Sequence, residues 1–152
     1  MVDHDYKNYP ELSNKEIEEF GFESPHVQIT EDFVADVVKV HDGDTITLRT
    51  DFRDFDFPLR FNSIDAPELN TGSPGEEARD FLKEQIDGAE VEIKINKNNR
   101  VDKYGRLLGN VISRGIDMGD AEMRLGYAVP FGKKDEGAIP MDFKIFSEKQ
   151  WF

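Results

Sequence analysis

The chain has 152 residues, no cysteine, three histidines and a formal net charge of −13. Length and an ordinary apolar content of 38 % fit one domain with a real core. The missing cysteines exclude disulfides and thiolate metal sites, and the scattered His4, His26 and His41 lack zinc-ligand spacing. The acidic balance argues against a long-footprint DNA binder, because backbone binding normally uses a positive surface. The charge is uneven, however. Residues 1–33 hold two Lys/Arg against nine Asp/Glu, so more than half of the excess lies outside the candidate core.

Residues 1–33 read as an acidic extension, with residues 34–152 as the main domain. Ser13-Asn14-Lys15-Glu16 has the form of a capping box, and Gly21 suits a helix stop after Phe20. Ile17 and Phe20 are spaced to dock that short helix. The first thirty residues contain acids and no continuous apolar run, which argues against an uncleaved signal peptide or a membrane anchor. A cytoplasmic or virus-associated location is therefore expected over a secreted one, with the compartment itself unknown.

From Phe33 the chain becomes strand-like. Val34, Val38 and Val40 share one parity, predicting a strand to His41 with those valines on one face. A turn at Asp42-Gly43-Asp44 leads to Ile46 and Leu48, alternating with Thr45, Thr47 and Arg49. Phe55, Phe57, Leu59 and Phe61 alternate without a break and leave Arg60 on the opposite parity. Pro58 suggests an edge or a bulge. A Gly-Ser-Pro-Gly linker at 72–75 precedes a helix predicted over Glu76 to Asp87, with Ala78, Phe81, Leu82 and Ile86 on one stripe.

Val91, Ile93 and Ile95 return to period two. Leu107 to Ile112 is apolar on both parities except Asn110, as for a strand covered on both faces. Asp117 to Leu125 reads as a short helix carrying Met118, Ala121 and Leu125. The tail contains Phe143, Ile145, Phe146, Trp151 and Phe152, predicting a last helix or an aromatic wrap over the core. Five short strands with two or three packed helices predict an α+β, mainly β, OB-like barrel, since closure removes exposed edges.

The chemistry concentrates at two turns, Asp42-Gly43-Asp44-Thr45 and Asp65-Ala66-Pro67-Glu68, and at two arginines, Arg60 and Arg106. Asp44 and Asp65 are the candidate ligands for a hard cation such as calcium, which takes oxygen donors in irregular geometry. Asp42 either ligates or bonds the backbone of its own turn. Glu68 is a candidate to orient or deprotonate an attacking water. Arg60 and Arg106 suit the non-bridging oxygens of a phosphodiester, which guanidinium forks meet bidentately. Lys103 and Tyr104 adjoin Arg106 and can bear on a phosphate or a base. No phosphate-binding loop or dinucleotide fingerprint is present.

The stretches VVKVHDGDTITL, PLRFNSIDAPE, GEEARDFLKEQI, DKYGRLLGNV and AEMRLGYA, spanning roughly residues 36–129, resemble the thermonuclease, or staphylococcal nuclease-like, family. The resemblance implies a five-stranded OB-fold barrel and calcium-dependent endonuclease activity on DNA and RNA, leaving 3′-phosphate and 5′-hydroxyl ends. It also implies that Asp44, Asp65 and the backbone carbonyl of Ala66 hold Ca2+, with Asp42 and Thr45 supporting them from beside the ion. On the same footing Glu68 activates or positions water, Arg60 and Arg106 clamp the phosphate, and Lys103 and Tyr104 face the nucleotide. Flexible or single-stranded substrates are expected to be favoured, because they reach a single pocket at less cost. Three departures stand out: Ala128-Val129-Pro130-Phe131 lacks the family's tyrosine, the tail is short and aromatic where the family's last helix is basic, and the chain is acidic with no visible signal where family members are often basic and secreted. The acidic arm and that tail motivate an alternative, a noncatalytic binding or assembly module with a protein partner.

Overall fold

The computed structural model describes residues 4–7, 9–69 and 72–132. Five strands form a closed barrel: β1 (Phe33–Asp42), β2 (Thr45–Arg49), β3 (Phe57–Phe61), β5 (Glu90–Lys94) and β6 (Leu107–Ser113). Their order is β3-β2-β1-β5-β6, and a parallel pairing of β3 with β6 at Leu59↔Leu107 completes the ring. Two short strands, β4 (Ile64–Asp65) and β8 (Val129–Pro130), pair separately, while β7 (Ile116–Asp117) extends the edge of β6. The helices are α1 (Asn14–Phe20), α2 (Ser73–Ile86) and α3 (Met118–Arg124). The expected barrel with two or three packed helices is thus the observed architecture, with three helices among the described residues. Among the described residues no helix is long and apolar enough to cross a membrane.

The barrel is filled by Val37, Val40, Ile46, Leu48, Phe57, Leu59, Phe61, Val91, Ile93 and Val111, each nearly or fully removed from water. Removing apolar side chains from water on this scale is the main force closing the ring. β6 is covered on both faces, as its two-sided apolar pattern predicts. Pro58 falls one residue before β3 begins its pairing with β6 at Leu59, a place where a missing N–H costs little.

β1 departs from the predicted parity. Ala35 and Val37 face the core and Val34 and Val38 face solvent, yet Val40 is buried. Register shifts against β2 between Val37 and Lys39, and again between Val40 and Asp42, explain the change of face. Each irregularity moves the following side chains to the other side of the sheet. The second lies directly at the Asp42–Asp44 turn and aims it.

Helix α2 also begins earlier than its linker suggests, at Ser73, because Pro74 sits in the first turn where no N–H is required. Gly75 in that turn is a steric necessity. A Cβ there would stand 2.1 Å from the carbonyl oxygen of Glu68.

The acidic arm packs onto the barrel. The capping box at Ser13 forms as expected, with Glu16 N–H donating to Ser13 Oγ (3.2 Å) and Ser13 N–H to Glu16 Oε1 (2.9 Å). Leu12 is fully buried, and Ile29 joins the core. Glu11 is held between Arg53 and Arg100, and also accepts the Ile29 N–H at 2.9 Å. Arg100 donates further to the carbonyls of Leu12 (2.9 Å) and Ile29. The Arg53 guanidinium lies over the Phe57 ring, 4.6 Å from its centroid. Tyr9 of the arm touches Gly105, where an added Cβ would meet the ring at 3.0 Å. The predicted tail helix or wrap, from Phe143 to Phe152, lies outside the described residues.

Candidate functional site

Three segments converge at one end of the barrel: the β1–β2 turn, the β3–β4 corner running on to Glu68, and the loop at 99–106. They line an open cleft of about 1000 Å³ together with Asn62, Phe131 and Gly132. Asp42, Asp44, Thr45, Arg60, Asp65, Glu68, Lys103, Tyr104 and Arg106 all border it, so the cleft gathers nine of the ten residues singled out in the sequence. The tenth, Ala66, lies just beneath, buried, with its N–H donating to Asp44 Oδ2 at 2.9 Å.

Each side chain is set by local chemistry. Asp42 Oδ1 accepts the Asp44 N–H at 3.0 Å, an Asx bond that closes the turn. Thr45 Oγ1 donates to Asp44 Oδ1 at 3.1 Å. Gly43 between them admits no side chain: a Cβ would stand 2.6 Å from Ala66 Cβ, 2.7 Å from Glu122 Oε1 and 2.9 Å from Ala78 Cβ. Asp65, fixed by the β4–β8 pairing, accepts the Gly132 N–H through Oδ2 at 3.0 Å.

Arg60 joins the two turns. Its Nη1 donates to the carbonyls of Phe61 (2.6 Å) and Ile64 (2.8 Å), which hold the guanidinium plane. Its Nη2 binds Asp65 Oδ1 and lies 3.3 Å from Asp44 Oδ2. One nitrogen therefore serves carboxylates from two different loops. Although Arg60 has the opposite parity from the aromatic face of β3, it is only 8 % exposed. Burial pushes the Asp44 carboxyl up to about 6, with Arg60 opposing and Asp42 adding to the rise.

The opposite wall is cationic and aromatic. Arg106 pairs with Asp102, Nε to Oδ2 at 2.8 Å, and that acid also takes the N–H groups of Tyr104 and Arg106, each at 2.9 Å. Tyr104 is exposed, with Arg106 Cζ 5.5 Å and Lys103 Nζ 5.1 Å from its ring centroid. Phe131 faces Arg60 at 5.7 Å. Glu68 is exposed where this cleft meets a neighbouring one of about 620 Å³, lined by Lys39, His41, Arg79 and Lys83. His41 bonds Thr47 Oγ1 at 2.6 Å, and burial, then Lys39, holds its pKa down.

Among the described residues, no three His, Cys, Asp or Glu side chains converge closely enough to hold a metal ion on their own. The two acids bridged by Arg60 form a pair only. Residues 58–140 match the profile of the staphylococcal nuclease homologue family, more than half of the chain. The chain belongs to that family. The match takes in the β3–β4 corner, the loop at 99–106 and α3, while the Asp42–Thr45 turn precedes it. An uncharacterized protein of Bacillus anthracis is also similar, 32 % identical over 98 residues. Those residues are 61 % of this chain and 45 % of the relative, so the chain spans less than half of that protein's length.

Sequence reasoning missed one residue here. Glu122 on α3 is fully buried against the Asp42–Thr45 turn, and neither carboxylate oxygen has a hydrogen-bond partner among the described residues. Burial, then the charges of Asp44 and Asp42, raises its pKa well above the ordinary value. The signal was available in the spacing. Position 122 shares the helical stripe of Met118, Ala121 and Leu125, where an apolar residue belongs.

Proposed function

We propose that the chain is a calcium-dependent endonuclease that hydrolyses phosphodiester bonds of DNA and RNA, leaving 3′-phosphate and 5′-hydroxyl ends. One observation carries the reading: acids from two loops meet at a single guanidinium on the floor of a cleft whose facing wall presents Arg106, Tyr104 and Lys103. Family membership supports the same class of chemistry.

The donor set fits a hard cation. Asp44 and Asp65 bring two negative charges to one positive guanidinium, and Asp42 adds a third nearby, so the turn cluster keeps a net negative charge. All donors are oxygens, which suits calcium in irregular coordination. Asp44, Asp65 and the carbonyl of Ala66 would hold the ion, while Asp42 and Thr45 fix the Asp44 carboxylate. When bound, the ion supplies positive charge for a non-bridging phosphate oxygen and neutralises the acids.

The remaining work falls to the chain's own side chains. Glu68, exposed at the cleft boundary, accepts a proton from a water that attacks phosphorus. The bond from phosphorus to the 5′ oxygen breaks, and that oxygen leaves with the electron pair and takes up a proton from solvent in the open cleft. Arg60 and Arg106 meet the charge that builds on the phosphate oxygens, a contribution that strengthens in the transition state. Tyr104 offers a ring to a base and Lys103 a charge to the backbone, so an unpaired strand is the favoured substrate.

The test is a cleavage assay on single-stranded DNA and on RNA with calcium, with magnesium and with chelator, identifying the product ends. Calcium-dependent cleavage leaving 3′-phosphates is the expected result. No cleavage of either substrate with added calcium overturns the reading, and binding without turnover would assign a noncatalytic nucleic-acid module in its place.

A further inference from the structure

The smaller cavity beside the cleft has a character that the proposed chemistry does not use. It measures about 620 Å³, and Lys39, Arg79 and Lys83 line it. Lys39 is exposed on β1, while Arg79 and Lys83 lie one helical turn apart on α2, which packs against that strand. Two elements distant in sequence thus bring three cations to one hollow, in a chain whose formal net charge is −13.

Folding accounts for little of this gathering. Like charges four residues apart on a helix repel, so the Arg79–Lys83 spacing is mildly destabilising. The last turn of α2 favours a cation at Lys83, yet it gives no reason for Lys39 across the hollow. Nor do neighbouring acids neutralise the lysines. Lys94 holds Asp32 at 3.5 Å and Glu92 at 3.0 Å, whereas neither Lys39 nor Lys83 forms an ion pair among the described residues. Arg79 gives its Nε to Asp80 at 3.0 Å, a surface pair that exchanges at little cost.

The position of the hollow names its ligand. Asp42 and Glu68 line both cavities, so the two are continuous across that border. Among the described residues the lining of the smaller one includes no Phe, Tyr or Trp, in contrast to Tyr104 and Phe131 in the cleft. Cations without a stacking ring suit backbone phosphate and not a base.

We propose that this hollow is a second phosphate site for the single-stranded substrate, where Lys39, Arg79 and Lys83 hold the strand beyond Glu68, next to the phosphodiester being cut. The inference rests on the nuclease reading above and extends it from one phosphate to a footprint spanning both cavities. Such contacts fix the path of the strand and carry no sequence preference.

Fluorescence anisotropy of a labelled, cleavage-resistant phosphorothioate oligothymidylate of about 12 nucleotides tests it, titrated with the full chain in calcium chloride at several salt concentrations. The test variant is Lys39→Ala with Lys83→Ala. The control, Lys15→Ala with Lys94→Ala, removes the same charge from exposed lysines that border neither cavity. Thermal midpoints establish that both fold. The expected result is binding weakened roughly 3- to 30-fold in the test variant. Its slope of log affinity against log salt should be shallower by about 1.4, the share of two phosphate contacts on a single strand. Test-variant binding within about twofold of the wild type, or a control that loses as much, overturns the inference and leaves the nuclease reading standing. A wild type that does not hold the probe also overturns it, and the nuclease reading falls too only when the cleavage assay above is negative.

Discussion

Two buried clusters of arginine and carboxylate lie in this small domain, with opposite imbalances of charge. Where the arm meets the barrel, one acid, Glu11, sits between Arg53 and Arg100, and every oxygen it offers is used. At the turn, Arg60 is the one cation paired with Asp44 and Asp65 among the described residues, with Asp42 and Glu122 close behind. The first cluster is sealed and fully buried; the second opens on a cleft and is short of cations. Ion pairing of the same kind therefore serves two ends. Enclosed and with cations in excess, it fixes a segment in place. Open and with acids in excess, it lines a cleft.

The largest effect that would break this contrast is expected in the sealed cluster. Glu11→Ala leaves two guanidiniums buried without their acid and should cost about 3–5 kcal/mol in denaturant unfolding. A loss below about 1 kcal/mol, within the range of surface pairs, would mean that the arm is not locked by charge. Next comes Arg60→Lys, which keeps the charge and discards the fork. Cleavage of single-stranded DNA should fall roughly 10²–10³-fold, and the unfolding midpoint should fall as well, because the buried carbonyls of Phe61 and Ile64 lose their donor. Full activity would remove Arg60 from the proposed chemistry.

The pH dependence sharpens the comparison from the other side. The Asp44 carboxyl is held at about 6 against an ordinary 3.8, so the folded chain keeps a proton that the unfolded chain has released. Stability in chelator should therefore be full below the unfolded value and decline as pH rises toward 6, by at most ~3 kcal/mol. Glu122 pushes in the same direction. Thermal midpoints in chelator across that window should fall in the wild type and fall less in Asp44→Asn; identical profiles would refute the assignment. The smallest expected effect is a gain. Glu122→Leu should stabilise the ion-free protein by about 1–3 kcal/mol, the cost of an unsatisfied buried polar group, and a loss of stability would show that the acid has a partner.

Much of the barrel was legible because period-two alternation in β2, β3 and β5 reports which face is buried. Parity failed in β1, where two irregularities reverse the face within a few residues, and nothing in a run of valines announces a bulge. The cleft residues were legible as a set, since turns at strand ends collect short polar side chains. Their pairing was not. That Arg60 would bridge two loops depends on distances across the sheet, and that Asp102 would take Arg106 depends on how one loop folds back on itself. Glu11 carries no local sign of burial, whereas Glu122 does, as an acid on an otherwise apolar helical stripe. The cue was present and was read only for its hydrocarbon neighbours.

The contact of Tyr9 with Gly105 gives the arm leverage. Gly105 stands between Tyr104 and Arg106, and the loop bearing them is anchored at its base by Arg100, which the arm also grips. A protease nick, or a rival surface that peels Tyr9 away, would slacken the wall on which a nucleotide would rest while leaving every acid in the turn untouched. The arm's packing and the cleft wall thus meet in one loop, through a segment whose composition suggests only solubility.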